Sequence, residues 1–218
     1  MKPMQKGFTL VEIAIVLVII GLLLGGILKG QEMITQAKIK NVIADFSGIS
    51  AAYHGYQDRY RAIPGDDAGA NRWTGITAVG DGDGLLEGLY NSATATDESR
   101  LWWEDLRRSG FITGQGNAQP LNAANGMIGV QTGDAAAPPG RVLSSAAPDG
   151  FAGLIICSAN LPDKIAIATD TQMDDGQPAA GSVRAQLQAS PNPPIGALAA
   201  TPTYQETGTN TYVVCRSL

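Results

Sequence analysis

The chain opens on a long apolar run and then settles into a helical stripe. From Phe8 to Leu28 the only departures from apolar residues and glycine are Thr9 and Glu12. As a helix those residues span ~31 Å at ~1.5 Å per residue, which matches the hydrocarbon core of a bilayer. From Gln31 to Arg61 the pattern becomes one-sided. Thr35, Ile39, Val42, Phe46, Ile49, Tyr53, Tyr56 and Tyr60 recur at steps of three and four, while Lys38, Lys40, Asp45 and Asp58 take other faces. Pro64 and Gly65 then stop the helix.

The remainder is mixed. Residues 64–125 are loop-rich, with one helix in "TDESRLWWEDLRRSGF": Thr and Asp near its start, Leu101, Trp102 and Leu106 as apolar positions, Arg107 and Arg108 in the last turn, Gly110 past the end. The two arginines are expected to complement the helix dipole and face solvent. "GMIGVQT", "FAGLIICS" and "TYVVCRSL" are strand candidates for an antiparallel sheet against the stripe. "NLPDKIAIATDTQMDDG" alternates in part like a strand, but Asn160 and Pro162 as a start and Gly176 as a stop favour a helix. Residues 177–208, rich in Ala, Pro, Gly, Thr and Asn, are expected as a surface loop. The fold class is α+β.

Charge sets the orientation and narrows the function. Lys2 and Lys6 precede the apolar run, so the positive-inside rule leaves the N-terminus in the cytoplasm and sends the rest across. A cleavable signal peptide fits less well, because the run is long and "KGQEMITQAK" offers no small-x-small cleavage site. A net charge of -5 argues against phosphate-backbone binding, so nucleic acid is not an expected partner. Cys157 and Cys215 are the only cysteines, and outside the cytoplasm a disulfide is expected of them rather than a metal site, which would want further Cys or His ligands. The single histidine, His54, lies on the long helix, and no nucleophile elbow, zinc-protease or phosphate-loop motif occurs, so no enzyme is expected.

"KGFTLVEIAIVLVIIG" resembles the N-terminus of type IV pilins and type II secretion pseudopilins: a short basic leader ending in Gly7, then Phe8, then a lone acid, Glu12, inside the apolar helix. The resemblance implies that a prepilin peptidase cuts between Gly7 and Phe8 and methylates the new amine of Phe8. It gives Glu12 a partner, the Phe8 amine of a neighbouring subunit, as subunits leave the membrane for a helical filament. The other reading of Glu12 is a carboxylate snorkelling to the headgroups. Gly21, Gly25, Gly26 and Gly30 form two small-xxx-small spacings, suited to close helix approach or simply tolerated in a membrane helix. Where many family members carry a helix-bending proline, this chain has Lys29.

The resemblance implies a pilin-like organisation: leader 1–7, filament-core helix 8–28, amphipathic helix 29–63 and a globular domain 64–218 with a C-terminal disulfide loop. It implies a single-pass inner-membrane precursor, then a periplasmic pseudopilus or a surface pilus, with other pilin subunits, the prepilin peptidase and an inner-membrane assembly platform as partners. Chain length favours a minor pilin over the main pseudopilin. In "GDGDGLLEG", Asp81, Asp83 and Glu87 suit calcium or a tight turn about equally; calcium in some family members favours the metal. Asp170, Asp174 and Asp175 could form a second oxygen-ligand cluster, but a solvated turn is the expectation. The rival from another class is a membrane-anchored periplasmic binding module, calcium-dependent, that does not polymerise.

Overall fold

The computed structural model describes residues 9–133, 142–144, 150–196, 198 and 202–218. The predicted leader, with Gly7 and Phe8, lies outside them. Helix α1 runs without a break over Leu10–Tyr60. Contacts divide the chain within this helix, into residues 1–37 and 38–218.

In the first unit α1 is a bare apolar rod. Leu10, Leu22 and Leu28 are 90%, 73% and 67% exposed, so no described residue covers this apolar surface. Among the described residues this is the one helix long and apolar enough to cross a membrane, with a mean hydropathy of 2.8 over its best window. Lys29 sits within it and pairs with Glu32 at 2.8 Å.

The second unit is built on a four-stranded antiparallel sheet in the order β1-β2-β4-β3: β1 Ile128–Thr132, β2 Leu154–Pro162, β3 Val183–Leu187 and β4 Thr211–Ser217. Period-two alternation sends side chains to two different cores. Val130, Ile156, Leu161, Tyr212 and Val214 join Ile39, Val42, Phe46, Ile49 and Tyr56 of α1 with Trp102 and Leu106. Ile155, Cys157, Ala159, Val213 and Cys215 face the other way, onto Tyr90, Leu143, Phe151 and Ile195. Each fully buried Ile, Val or Phe stabilises the fold by about 1.5–3 kcal/mol relative to exposure. The α1 stripe is as the spacing predicts, except that Ala52 is buried while Tyr53 and Tyr60 are half-buried at its margins. Tyr53 stacks on Trp102 at 5.3 Å.

Helix α2, Glu98–Arg108, is buried along most of its length, Glu104 and Asp105 included. Asp97 precedes it and Gly110, at φ +82°, ends it, with Phe111 N donating to Leu106 O at 3.0 Å. Helix α3, Asp163–Met173, settles the ambiguous "KIAIAT" as helical and starts directly after Pro162; Asn160, expected at the helix start, belongs instead to β2, which the β4 ladder extends to Pro162.

The expectation of a surface loop over 177–208 needs correction. Within it, Val183 and Ala185 are buried and β3 pairs with β4 from Val183 opposite Arg216 to Leu187 opposite Tyr212. Ile195 enters the second core. VRAQL does alternate apolar and polar positions, but over only five residues set among Gly, Ala, Pro and Ser; the ladder offered by β4 makes it a strand.

Candidate functional site

At the start of α1, Thr9 and Glu12 bond reciprocally. Thr9 N and Thr9 Oγ1 each donate to Glu12 Oε2 at 2.8 Å, and Glu12 N donates to Thr9 Oγ1 at 3.3 Å. This is a capping box, written in the sequence as the T-x-x-E of "TLVE", and it satisfies amides that the first helical turn leaves without partners. The acid therefore has a local structural task. Glu12 Oε1 has no partner among the described residues, so the carboxylate keeps one oxygen for a second donor. Among the described residues, nothing beyond the helix's own backbone would meet a Cβ at Gly21, Gly25, Gly26 or Gly30.

The acidic turn is larger than "GDGDGLLEG". Oxygens of Asp66, Asp81 and Asp83 lie within 4.8 Å of one another, and so do those of Asp81, Glu87 and Glu98. Asp81 is common to both groups, while Asp83 and Glu87 fall in different ones. Asp66 and Glu98, which the sequence motif did not include, are 3% and 7% exposed and shape the turn from below. Gly82 N and Gly84 N donate to the two oxygens of Asp66 at 2.6 and 2.9 Å. Asp81 N and Glu87 N donate to the two oxygens of Glu98, both at 3.1 Å. Asp83 N donates to Asp81 Oδ1 and Leu85 N to Asp83 Oδ1, the Asx pattern of tight turns. Asp66 comes from the "PGDD" that follows α1; Glu98 hid as the first-turn acid of α2.

Five carboxylates meet here and none is in an ion pair among the described residues. Burial, reinforced by Glu87, pushes the Glu98 carboxyl from 4.5 up to about 8, and burial likewise raises Asp66, with Asp83 and Asp81 adding to it. Nearby, Asp105 accepts from Gly65 N at 2.7 Å and is pushed from 3.8 to about 7, mainly by burial. The donors are hard oxygens only, the set that suits calcium, and Oδ2 of both Asp81 and Asp83 has no partner among the described residues.

Asp170, Asp174 and Asp175 also bring oxygens within 4.8 Å. The expected solvated turn is only half of what they form. Asp170 is fully buried, accepts the Tyr204 hydroxyl at 2.6 Å and is pushed to about 6 by burial. Asp174 Oδ2 receives Val183 N at 2.9 Å, at the start of β3, and Asp175 accepts from Gln177 N. These bonds account for the cluster as the join between α3 and β3. Cys157 and Cys215 form a disulfide within the second core, opposite each other in the β2–β4 register. His54 is exposed.

Residues 2–28 match the model of the prokaryotic N-terminal methylation motif. The match supports the resemblance to type IV pilins and pseudopilins and covers the residues from the basic leader to the end of the apolar run. Such a motif points to a structural subunit and to an anchored inner-membrane precursor. No curated protein matches the chain.

Proposed function

We propose that the chain is a structural subunit, a minor pilin or pseudopilin, cut between Gly7 and Phe8, methylated on Phe8 and assembled into a type IV pilus or a type II secretion pseudopilus. One observation carries the reading: the methylation motif over residues 2–28 leads into a helix whose apolar side chains are exposed from Leu10 to Leu28. Apolar surface on that scale needs lipid before assembly and neighbouring helices after it. Glu12 then has two tasks, capping its own helix through Oε2 and receiving the methylated Phe8 amine of a neighbour through Oε1. Calcium at the turn of Asp66, Asp81, Asp83, Glu87 and Glu98 would neutralise carboxylates that burial otherwise disfavours, and would fix the turn against α2.

Co-expression with a prepilin peptidase and mass analysis of the N-terminal peptide test the first step. The expected product lacks Met1 to Gly7 and carries one added methyl on Phe8. An intact N-terminus would overturn the reading in favour of an anchored, non-polymerising binding module. For assembly, the test is incorporation of a processed Glu12→Ala variant into sheared filaments, and undiminished incorporation would remove Glu12 from the mechanism.

A further inference from the structure

The turn that leads into β1 carries a dipeptide with a chemistry of its own. Asn125–Gly126 is the only Asn-Gly step in the sequence. In such a step the glycine nitrogen can attack the asparagine side chain, because glycine has no Cβ to hinder the approach. The fold itself requires this pair. A Cβ at residue 126 would stand 1.8 Å from Ala159 O, so only glycine fits there. Asn125 lies at φ +59°, a left-handed position that asparagine tolerates better than most side chains, and it is exposed.

Asn122 grips this peptide. Its Oδ1 accepts from Gly126 N at 2.9 Å, its backbone N donates to Gly126 O at 2.8 Å, and its backbone O accepts from Asn125 N at 3.0 Å. Asn122 is itself only 5% exposed, and its Nδ2 donates to Ser158 Oγ and Ala159 O at 2.8 and 2.7 Å, which fixes the direction of Oδ1. The nitrogen that would act as nucleophile is therefore held as a donor, in a peptide fixed on both sides. The same arrangement recurs at each Asp-Gly step among the described residues. Gly82 N and Gly84 N are held by the Asp66 carboxylate, and Gly176 N donates to Asp170 Oδ1 at 3.3 Å. We propose that Asn125 is a latent deamidation site, kept inert by Asn122 while the turn is folded. When the turn opens, the Gly126 nitrogen loses its proton to hydroxide and bonds to Asn125 Cγ. The Cγ–Nδ2 bond breaks and ammonia leaves, closing a succinimide ring. Water then opens the ring at either carbonyl, giving aspartate or isoaspartate with no change in oxidation state. Isoaspartate routes the backbone through an added methylene just ahead of β1, which takes Gly126 out of the grip of Asn122. The inference uses only residues of the globular unit, so it stands apart from the assembly reading.

The test is peptide mapping by mass spectrometry of the detergent-solubilised full chain, incubated at mildly alkaline pH with its disulfide intact, either folded or in guanidinium chloride. In denaturant the peptide containing Asn125 is expected to gain the mass of an amide-to-acid exchange and to separate by chromatography into aspartate and isoaspartate forms. The folded wild type is expected to react about tenfold more slowly or less. Equal rates in the two states would overturn the proposal. Asn122→Ala, shown to be folded by circular dichroism, is expected to lose most of the protection, and a rate unchanged from wild type would take the guard away from Asn122. Asn122→Asp keeps an acceptor for Gly126 N and is expected to stay slow; fast reaction in a folded Asp variant would refute the role given to Oδ1. If neither variant folds, hydrogen exchange of the wild type decides. The Gly126 amide is expected to be protected although Asn125 beside it is exposed, and exchange at the rate of a free amide would refute the grip.

Discussion

Removing the disulfide offers a quantitative test of how the globular unit is held together. Cys157 and Cys215 are both fully buried, 58 residues apart in sequence and 4.0 Å apart between Cα atoms. They join the two central strands where the ladder already pairs them. In the chain-entropy account, closing a loop of that length removes about 14 cal/mol/K from the unfolded ensemble, or about 4 kcal/mol at 25 °C. For a unit of this size, that corresponds to a fall in Tm of about 8–16 °C. The variant is Cys157→Ala with Cys215→Ala, and the assay is urea unfolding followed by circular dichroism. Two readouts separate the cross-link from the small void left by two sulfurs: loss of the tether lengthens the unfolded chain and raises the m-value, whereas a void leaves the m-value unchanged. A loss under ~1 kcal/mol with an unchanged m-value would refute the reasoning.

Further outcomes follow from the sites. Glu12→Gln keeps the capping box but loses the charge, so filaments are expected to be lost as in Glu12→Ala; wild-type assembly of the Gln variant would reduce Glu12 to a cap. Calcium at a hundredfold excess over its dissociation constant should stabilise the unit by about 2.7 kcal/mol, and Asp81→Ala, which removes the residue common to both carboxylate groups, should abolish the shift. In chelator the contributions of Glu98 and Asp105 have a definite sign. Their folded pKa values, about 8 and about 7, lie above 4.5 and 3.8, so the folded state binds more protons and their contribution to stability falls as pH rises between roughly 4 and 8. A denaturation series across that range checks it, and calcium should flatten the slope. Tyr56→Phe removes the bond from its hydroxyl to Asp67 Oδ2 at 2.6 Å, with both groups buried, and should cost about 1–3 kcal/mol in thermal unfolding.

What the sequence disclosed, and what it hid, follows from where each signal resides. The long helix and α2 carry their own periodicity, so Ile39 and Phe46 can be assigned to the core from spacing alone, while three strands are marked by branched and aromatic residues between Gly and Pro, which locates Val130 and Val214 in strands without saying which face they take. The second core was not legible. Tyr90, Leu143, Phe151 and Ile195 are scattered through loops and meet only because the sheet presents Cys157, Val213 and Cys215 to that side. The acidic turn was half legible for the same reason. Asp81, Asp83 and Glu87 sit together in one Gly-rich stretch, whereas Asp66 and Glu98 arrive from two other elements. Arg107 looked like an ordinary helix-terminal charge because what half-buries it, a bond from Nη1 to Gly116 O and a covered Nε, is a property of the loop folded over it.

The strand order has a consequence for the timing of folding. β4, residues 211–217, lies between β2 and β3, so the sheet has a gap at its centre until those residues arrive. A chain emerging N-terminus first can form α1 and α2 early, but β3 has no sheet neighbour without β4, and Cys157 has no partner before Cys215. β1 and β2 can pair ahead of β4, but the β2–β4 and β4–β3 ladders and the disulfide close together in one late event. Oxidation of the cysteine pair records that event, so the folded chain carries its own covalent mark of having finished.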